Sequence, residues 1–366
     1  MKVSLIDPIG GHGGMDYYDY GLAYGLGHND IIVYYYTCSK TKERFYKNVN
    51  TKNIFKNVWK KNKLFKLFFF CNSYLKAFKS SKKEGTEIFH FQFFSLGILN
   101  LLVLILASFF KQKKIITLHD IESFHKSSSK IVSSICLKLI DGVIIHNQYS
   151  KSEFEKKFSF NGHISIIPHG NYLPFIKTQA LNTNTDEINL LFFGQIKQVK
   201  GLGILLEAMS IVVKKSTKYK LTIAGRPWKT GVEYYKNKIR ELKLSEYVTT
   251  HFEYIKEEEI SELYKNASII VMPYKKIYQS GVLLLSFSYG RTVITSDLPA
   301  FKEIISDGKN GFMFESENSL SLANTILKLD NKLISKVTKN TNNLISNKYD
   351  WKTIGRATLN FYEKII

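Results

Sequence analysis

The feature that most constrains this chain is a regular alternation of short apolar runs with longer helix-like runs. In the first half, the apolar runs cover residues 2–6, 31–37, 88–92, 114–118, 142–146 and 164–167. After a polar, aperiodic stretch at 173–189, the alternation restarts with INLLFFG, YKLTIAG, VTTHFEY, ASIIVMPY and RTVITS. Such alternation is typical of parallel sheets covered by helices. The sequence therefore predicts an α/β fold with two parallel-sheet domains.

The length of 366 residues suits two domains rather than one. We predict a first domain at 1–172, a linker at 173–189, a second domain at 190–350, and a C-terminal helix at 351–366 that can pack back on the first domain. The uncharged run SLGILNLLVLILASFF, residues 95–110, is shorter than the roughly 20 residues of a membrane-spanning helix. It predicts a buried helix packed on a sheet, with a membrane-dipping helix as the alternative.

The charge of the chain, +21, indicates an anionic partner or a lysine-rich solvated surface. From Lys40 to Lys83 the only acidic residue is Glu43, and many aromatic residues lie between the lysines. This mixture favours an anionic membrane surface, and no nucleic-acid-binding signature accompanies it. The three cysteines lie far apart and follow no signal-peptide-like start, so we expect neither disulfides nor zinc, and a cytoplasmic location.

Ligands of doubly wound sheets bind beyond the carboxyl ends of the strands. In this chain those positions are rich in glycine, histidine and cations and poor in carboxylates, which favours an anionic ligand. They include 10–16, 92–93, 119–120 and 146–147 in the first half, and 194–201, 225–227, 273–274 and the segment YQSGVLLL in the second. The first glycine-rich stretch, GGHGGMDYY, does not fit a dinucleotide fingerprint, because Asp16 stands where the third glycine belongs.

Two segments carry a family resemblance, FFGQIKQVKGL and YQSGVLLLSFSYGRTVITSDLPAFKEIISDGKNGFMF. The chain resembles the GT-B glycosyltransferases, in particular the retaining, nucleotide-sugar-dependent group classified as family 4. The resemblance covers nearly the whole chain and is densest from 190 to 313. It implies the GT-B fold, in which two Rossmann-like parallel-sheet domains face each other across a cleft.

The resemblance also implies a function. It implies transfer of a sugar from a nucleotide-diphosphate sugar to a hydroxyl of a glycan or lipid-linked acceptor, with retained configuration. Enzymes of this group act in bacterial surface polysaccharide synthesis, such as O-antigen or capsule, at the inner face of the plasma membrane.

Residue by residue, the resemblance assigns three kinds of role. The catalytic candidates are His119, Lys197 and Lys200, of which the two lysines would stabilise the charge of the departing diphosphate. The donor-binding candidates are Gly13, Gly14, Gly194, Arg226, Tyr274, Ser280, Gly281, Val282 and Glu303. The acceptor-binding candidates are His12, Asp16 and Tyr17. Glu303 fits helix capping as well as donor contact.

The chain departs from the family pattern at three positions. The two glutamates that the family carries eight residues apart fall on Ile277 and Leu285, and its usual arginine falls on Gln195. There is no D-x-D motif, so we expect no metal and no cofactor besides the donor. Two alternatives stay open, a nucleotide-sugar epimerase on the same fold and a non-catalytic partner subunit, the second of which the missing glutamates suggest. A nicotinamide dehydrogenase is a more distant alternative.

Overall fold

The computed structural model describes residues 1–11, 14–56, 63–121, 129–176, 186–229 and 231–366. The chain divides into two compact units. Unit 1 comprises residues 1–170 together with 349–366, and unit 2 comprises residues 171–348.

Within the described residues, unit 1 forms a seven-stranded sheet in the order β3-β2-β1-β4-β5-β6-β7. All of its strand pairs are parallel. The strands are β1 (Lys2–Ile6), β2 (Ile32–Cys38), β3 (Val49–Phe55), β4 (Ile88–Phe93), β5 (Lys113–Leu118), β6 (Gly142–Ile145) and β7 (His163–Ile166). The helices are α1 (Met15–His28), α2 (Lys63–Glu84), α3 (Ile98–Ser108), α4 (Lys130–Lys138), α5 (Gln148–Lys157) and, from the C-terminal part of the chain, α13 (Trp351–Glu363).

The centre of the unit 1 sheet is buried on both faces. Every residue of β4 and β6 is buried, as expected for parallel strands covered by helices on both sides. Strand β1 lies between β2 and β4, so the strand order reverses there, and ligands of such sheets bind beside the residues that follow these strands. Helix α13 packs against α1, where the indole of Trp351 occupies the space that a Cβ on Gly21 would need.

Unit 2 forms a six-stranded parallel sheet in the order β10-β9-β8-β11-β12-β13, again within the described residues. Its strands are β8 (Ile188–Phe193), β9 (Tyr219–Ala224), β10 (Val248–His251), β11 (Ile269–Met272), β12 (Val293–Ser296) and β13 (Phe312–Phe314). Its helices are α6 (Leu202–Lys215), α7 (Val232–Glu241), α8 (Glu257–Asn266), α9 (Gly281–Ser288), α10 (Pro299–Lys302), α11 (Ser319–Leu327) and α12 (Asn331–Asn347), and a 3-10 turn covers Gln198–Lys200. The order reverses at β8, between β9 and β11.

The predicted fold class is confirmed, since both units have parallel sheets with Rossmann-like strand order. Two details of the sequence analysis are wrong. The lysine-rich stretch contains a strand, β3, that was not predicted, and β8 begins at Ile188, inside the segment assigned to the linker. Residues 177–185 of that segment lie outside the described residues.

The apolar run at 95–110 forms α3, but the prediction of a buried helix is wrong for one of its sides. Leu101, Val103, Leu104 and Ala107 are buried, whereas Ile98 is exposed. The sheet and the neighbouring helices therefore cover only part of its circumference. Among the described helices, none combines the length and the apolar character that crossing a membrane requires.

Candidate active-site residues in the two units

Two glycines shape the switch point of the unit 2 sheet. Gly194 follows β8 with φ of 97°, and Gly225 follows β9 with φ of 148°. A Cβ on Gly225 would collide with the carbonyl oxygen of Gly194, so these two strand ends meet backbone to backbone. Gly194 lies at the switch point, where ligands of this fold class bind in a crevice beyond the strand ends.

Lys200 points its ammonium at this crevice. Its Nζ lies 3.3 Å from the place that a Cβ on Gly194 would take, and 5.3 Å from the ring centroid of Tyr274. Gly201, with φ of 67°, fixes the turn that carries Lys200, because a Cβ there would overlap the carbonyl oxygen of Pro273. Desolvation lowers the pKa of Lys200 to about 8, and the charge of Lys197 contributes to this shift. Among the described residues, no carboxylate forms an ion pair with Lys200.

The N-terminus of α9 lies at the same place. Ser280 caps the helix by accepting a hydrogen bond from the backbone N–H of Leu283 at 3.2 Å. Gly281 begins the helix, and Cγ2 of Val282 lies 3.5 Å from the Cβ position of Gly194. An anion beside Gly194 would therefore meet a lysine ammonium and the positive end of a helix. This arrangement can hold a phosphate or diphosphate.

The structure groups some of the predicted unit 2 residues and leaves others at the surface. Lys200, Gly194, Tyr274 and Val282 come together, and the half-buried Lys197 precedes the 3-10 turn. Arg226 is exposed after β9, where its carbonyl oxygen accepts a hydrogen bond from Ile196 at 3.0 Å. Glu303 is exposed and ends α10.

In unit 1, the first glycine-rich stretch is only partly described. His12 and Gly13 lie outside the described residues. Gly14 has φ of 82° and precedes α1, and Asp16 lies half-buried in the first turn of that helix. The guanidinium of Arg44 lies 5.2 Å from the ring centroid of Tyr17.

His119, directly after β5, lies in a hydrogen-bonded row of side chains. Its Nε2 is 2.9 Å from Oε1 of Gln92, and its Nδ1 is 3.3 Å from Nε2 of His146. Nδ1 of His146 donates to the carbonyl oxygen of Ile167 at 2.9 Å. Since a carbonyl only accepts, a neutral His146 must receive the Nδ1–H of His119 on its Nε2. Exchanging the oxygen and nitrogen of the Gln92 amide would then let its N–H₂ group, which otherwise has no partner, donate to Nε2 of His119. Each bond of the row would then join a donor to an acceptor.

Burial keeps the histidines of this region neutral. It lowers the pKa of His90 and of His146 to about 3 and that of His169 to about 4, and it holds the pKa of His119 well below its usual value. The ring of Tyr18 contacts three of them, with centroid distances of 4.8, 5.4 and 5.0 Å to His119, His146 and His169. His119 is therefore part of a packed cluster and is only 3% exposed.

The sequence analysis missed the role of Gln92 and His146 as partners of His119. A signal was present, because Gln92, His119 and His146 follow one another at intervals of 27 residues. Equal intervals place residues at equivalent positions in successive strand-helix units. The side chains of neighbouring parallel strands can then form hydrogen bonds.

A buried acid pair was also missed. Asp19 in α1 accepts a hydrogen bond from the hydroxyl of Tyr35 at 2.7 Å, and Asp7 after β1 accepts one from the backbone N–H of Ile9 at 2.9 Å. Burial raises the pKa of Asp7 to about 6 and holds that of Asp19 well above its usual value. The pair therefore retains a proton in the slightly acidic range, next to the first glycine-rich stretch.

Across the described ranges, no group of three or more histidine, cysteine, aspartate or glutamate residues is placed to hold a metal ion.

Comparison with known proteins supports the resemblance that the sequence carries. Residues 187–331 match the family described as glycosyl transferases group 1. The GDP-mannose:glycolipid 4-beta-D-mannosyltransferase of Xanthomonas campestris pv. campestris is 27% identical over 161 residues, which are 43% of this chain and 44% of that protein. The chain spans about half the length of the first curated relatives that it matches.

Solved structures match over the whole chain. Sucrose-phosphate synthase of Thermosynechococcus elongatus superposes with a TM-score of 0.77 at 17% identity and covers 100% of this chain and 98% of its own. HepE of Anabaena, solved in complex with UDP-glucose, superposes with a TM-score of 0.74 at 16% identity and covers 100% of both chains. The chain therefore has the GT-B fold, and its residues 187–331 match the glycosyl transferases group 1 family.

Proposed function

We propose that the protein transfers a sugar from a nucleotide-diphosphate sugar to a hydroxyl of a glycan or lipid-linked acceptor, with retention of configuration. The observation that carries this proposal is the Lys200 ammonium, which faces the crevice between Gly194 and the start of α9 without a carboxylate partner among the described residues. A cation and helix N–H groups fixed in this way stabilise the charge that a diphosphate gains as it leaves. The UDP-glucose complex of HepE is consistent with such a donor.

The reaction would proceed by front-side displacement. The acceptor oxygen forms a bond to the anomeric carbon on the face from which the phosphate departs, the bond between that carbon and the phosphate oxygen breaks, and the acceptor proton moves to a phosphate oxygen. Lys200 and Lys197 stabilise the departing diphosphate, and no protein nucleophile is required. Both ring nitrogens of His119 have partners in unit 1, so we assign His119 a positioning role.

We place this reaction in bacterial surface polysaccharide synthesis, such as O-antigen or capsule, at the cytoplasmic face of the plasma membrane. The glycolipid in the name of the Xanthomonas relative supports a lipid-linked acceptor. The basic stretch from Lys40 to Lys83 supports attachment to anionic lipid, since Lys79, Lys82 and Lys83 are exposed on α2. Lysines near an anionic bilayer contribute about 1 kcal/mol each.

Helix α9 bears on the non-catalytic alternative. Leu285 stands where the family has a glutamate and is half-buried in this helix, and a leucine offers no carboxylate to a donor. An epimerase would act on the donor without an acceptor, and a non-catalytic partner subunit would neither transfer nor epimerise.

The test is a panel of UDP-, GDP- and dTDP-sugars, first by thermal shift and then by product analysis. A donor at 100 times its dissociation constant adds about 2.7 kcal/mol to the free energy of unfolding. The proposal requires that a stabilising donor also yields a glycosylated acceptor with retained configuration. Epimerised donor without transfer would support the first alternative, and binding without any turnover the second.

A further inference from the structure

Helix α3 has a composition that does not match its place in the fold. Its sequence, ILNLLVLILAS, is apolar around nearly the whole helix, and such helices are normally buried on all sides. Yet Ile98 is 67% exposed, Leu99 52% and Ile105 42%, and Phe109 just after the helix is 80% exposed. Ile98, Ile105 and Phe109 follow one another at intervals of seven and four positions, which places them on one side of the helix, and Leu99 borders that side. The outer side of α3 therefore presents an apolar stripe to its surroundings.

Helix α4, which packs against α3, carries two more exposed apolar side chains. Ile131 is 73% exposed and Ile135, one turn later, is 41% exposed. The two helices pack side by side, and the hydroxyl of Ser133 in α4 donates to the carbonyl oxygen of Leu96, just before α3, at 3.0 Å. We call the exposed side chains of Ile98, Leu99, Ile105, Phe109, Ile131 and Ile135 the apolar ridge. A cluster of exposed apolar side chains on two adjacent helices is typical of an interaction site.

The charges around the apolar ridge identify its partner. Lys111, Lys130 and Lys138 are exposed at the ends of α3 and α4. The sequence has no acidic residue from Phe94 to His119 or from Ser129 to Ile140. A second copy of the same face would bring these lysines against one another, whereas an anionic bilayer attracts them and accepts the apolar side chains in its interface. An anionic lipid surface therefore fits better than self-association.

The apolar ridge also reaches the candidate site of unit 1. Phe94 follows β4, is 39% exposed, and stacks on His119 with a centroid distance of 5.2 Å and an interplanar angle of 29°. Helix α3 begins shortly after Phe94, so Ile98 and Leu99 lie at the sheet edge where ligands of this fold class bind. A surface docked on the ridge would thus lie beside His119.

We propose that the apolar ridge inserts into the interface of a bilayer containing anionic lipid, and so brings a lipid-borne acceptor to the edge of unit 1 that carries His119. The apolar ridge differs from the basic stretch at Lys40 to Lys83, because it would bind the bilayer mainly by burying apolar side chains. It rests on the proposed function only for the acceptor, since binding of the bilayer itself requires no turnover.

The test is cosedimentation with vesicles of phosphatidylcholine and phosphatidylglycerol, in wild type and in the double variant Phe109→Ser and Ile131→Ser, neither of which changes a candidate site residue. We expect the vesicle affinity of the variant to fall at least about tenfold, since two large apolar side chains no longer leave water on binding. Binding by wild type should keep a salt-resistant part, because apolar insertion is not screened. Leu320→Ser in unit 2 is the matched control, since Leu320 is also exposed, at 54%, but lies outside the ridge. We expect it to bind like wild type.

Three results would overturn the proposal. Wild type does not bind the vesicles, the double variant binds them as well as wild type, or wild type is a dimer in solution whereas the double variant is a monomer. Equal melting temperatures of the variants show that the fold is intact. With a water-soluble acceptor, the double variant should transfer sugar at the wild-type rate, and only transfer to a vesicle-borne acceptor should fall. If wild type binds vesicles through the ridge but transfers to neither acceptor, the proposed function fails and the lipid-binding surface stands.

Discussion

The two units share one strand order but carry different chemistry near the carboxyl ends of their strands. Unit 1 places neutral histidines and an acid pair there, each bonded to other groups of the same unit. Unit 2 places a lysine ammonium, glycines and a helix N-terminus there, and its one histidine, His251, is partly exposed. The same strand order thus supports two different kinds of site, as expected when function depends on side chains and not on the fold.

The difference lies in where each set of groups finds its partners. Tyr362 of α13 is 2.6 Å from Nδ1 of His90, and Thr117 is 2.7 Å from its Nε2, so this polar group is satisfied within unit 1. The Lys200 ammonium, by contrast, has no carboxylate partner among the described residues of unit 2. Changes at the unit 1 cluster should therefore alter stability and its pH dependence, whereas changes at Lys200 should alter donor binding and turnover.

The largest expected effect is a selective loss of stability of unit 1 in mild acid. His90 and His146 have pKa values of about 3 when folded and about 6.5 when unfolded, so below pH 6.5 the unfolded state binds more protons. Each costs about 2 kcal/mol of stability between pH 6.5 and 5. Asp7 acts in the opposite direction, because its raised pKa of about 6 lets the folded state bind a proton first, which offsets about 1 kcal/mol. The raised pKa of Asp19 has the same sign as that of Asp7.

Hydrogen exchange followed by mass spectrometry at pH 7, 6 and 5, corrected for intrinsic rates, measures this effect in each unit. We expect peptides of β4 to β6 to lose protection as the pH falls, while those of β8 and β9 keep theirs. Equal loss of protection in both units would contradict the comparison.

The next effect concerns Lys200. Lys200→Met keeps most of the side chain but removes the charge, and we expect turnover to fall ~10²-fold or more, because a cation facing the departing diphosphate is lost. Lys200→Ala should act similarly, and Lys197→Ala less severely. For wild type, kcat/KM for the donor should decline as the pH rises through about 8, where Lys200 loses its proton.

The control is Lys214→Ala, which removes an exposed lysine from the end of α6 and should leave turnover unchanged. Near-normal turnover of Lys200→Met with donor and acceptor present would show that the diphosphate is not bound there.

A smaller effect is expected at His146. His146→Leu removes the acceptor for the Nδ1–H of His119 and leaves a buried donor unpaired, which costs about 1–3 kcal/mol. Urea unfolding at pH 7 measures the loss, and His163→Leu at an exposed position of β7 serves as the control. If turnover at low temperature falls along with stability while KM stays constant, the row of side chains also positions His119. A variant as stable as wild type would mean that the row is not formed.

The sequence predicted much of the fold because its signals are local. Apolar runs separated by helix-like runs identified the two parallel sheets, and the positions after the strands predicted Gly194, Lys200 and His119 as candidates. Strand β3 was missed because its sequence, VNTKNIF, is mostly polar. It is an edge strand of the sheet, and most of its residues are at least partly exposed. The bonds between Gln92, His119 and His146 depend on the register of three strands, and the acid pair joins β1 to a position inside α1. Such contacts leave no periodic signal within one element.

The smallest expected effect sharpens the comparison from the side of unit 2. If Lys200, Lys197 and the N-terminus of α9 stabilise the departing diphosphate, a divalent cation has no charge left to neutralise, and EDTA should change turnover by less than about twofold. The measurement is the initial rate of transfer at saturating donor before and after chelation, with Lys200→Met assayed in parallel. Magnesium or manganese added to that variant should partly replace the lost charge and raise its residual rate, while leaving wild type unaffected. If chelation instead abolishes the wild-type rate and either ion restores it, a metal supplies the charge, and unit 2 resembles unit 1 in using its polar groups mainly for structure.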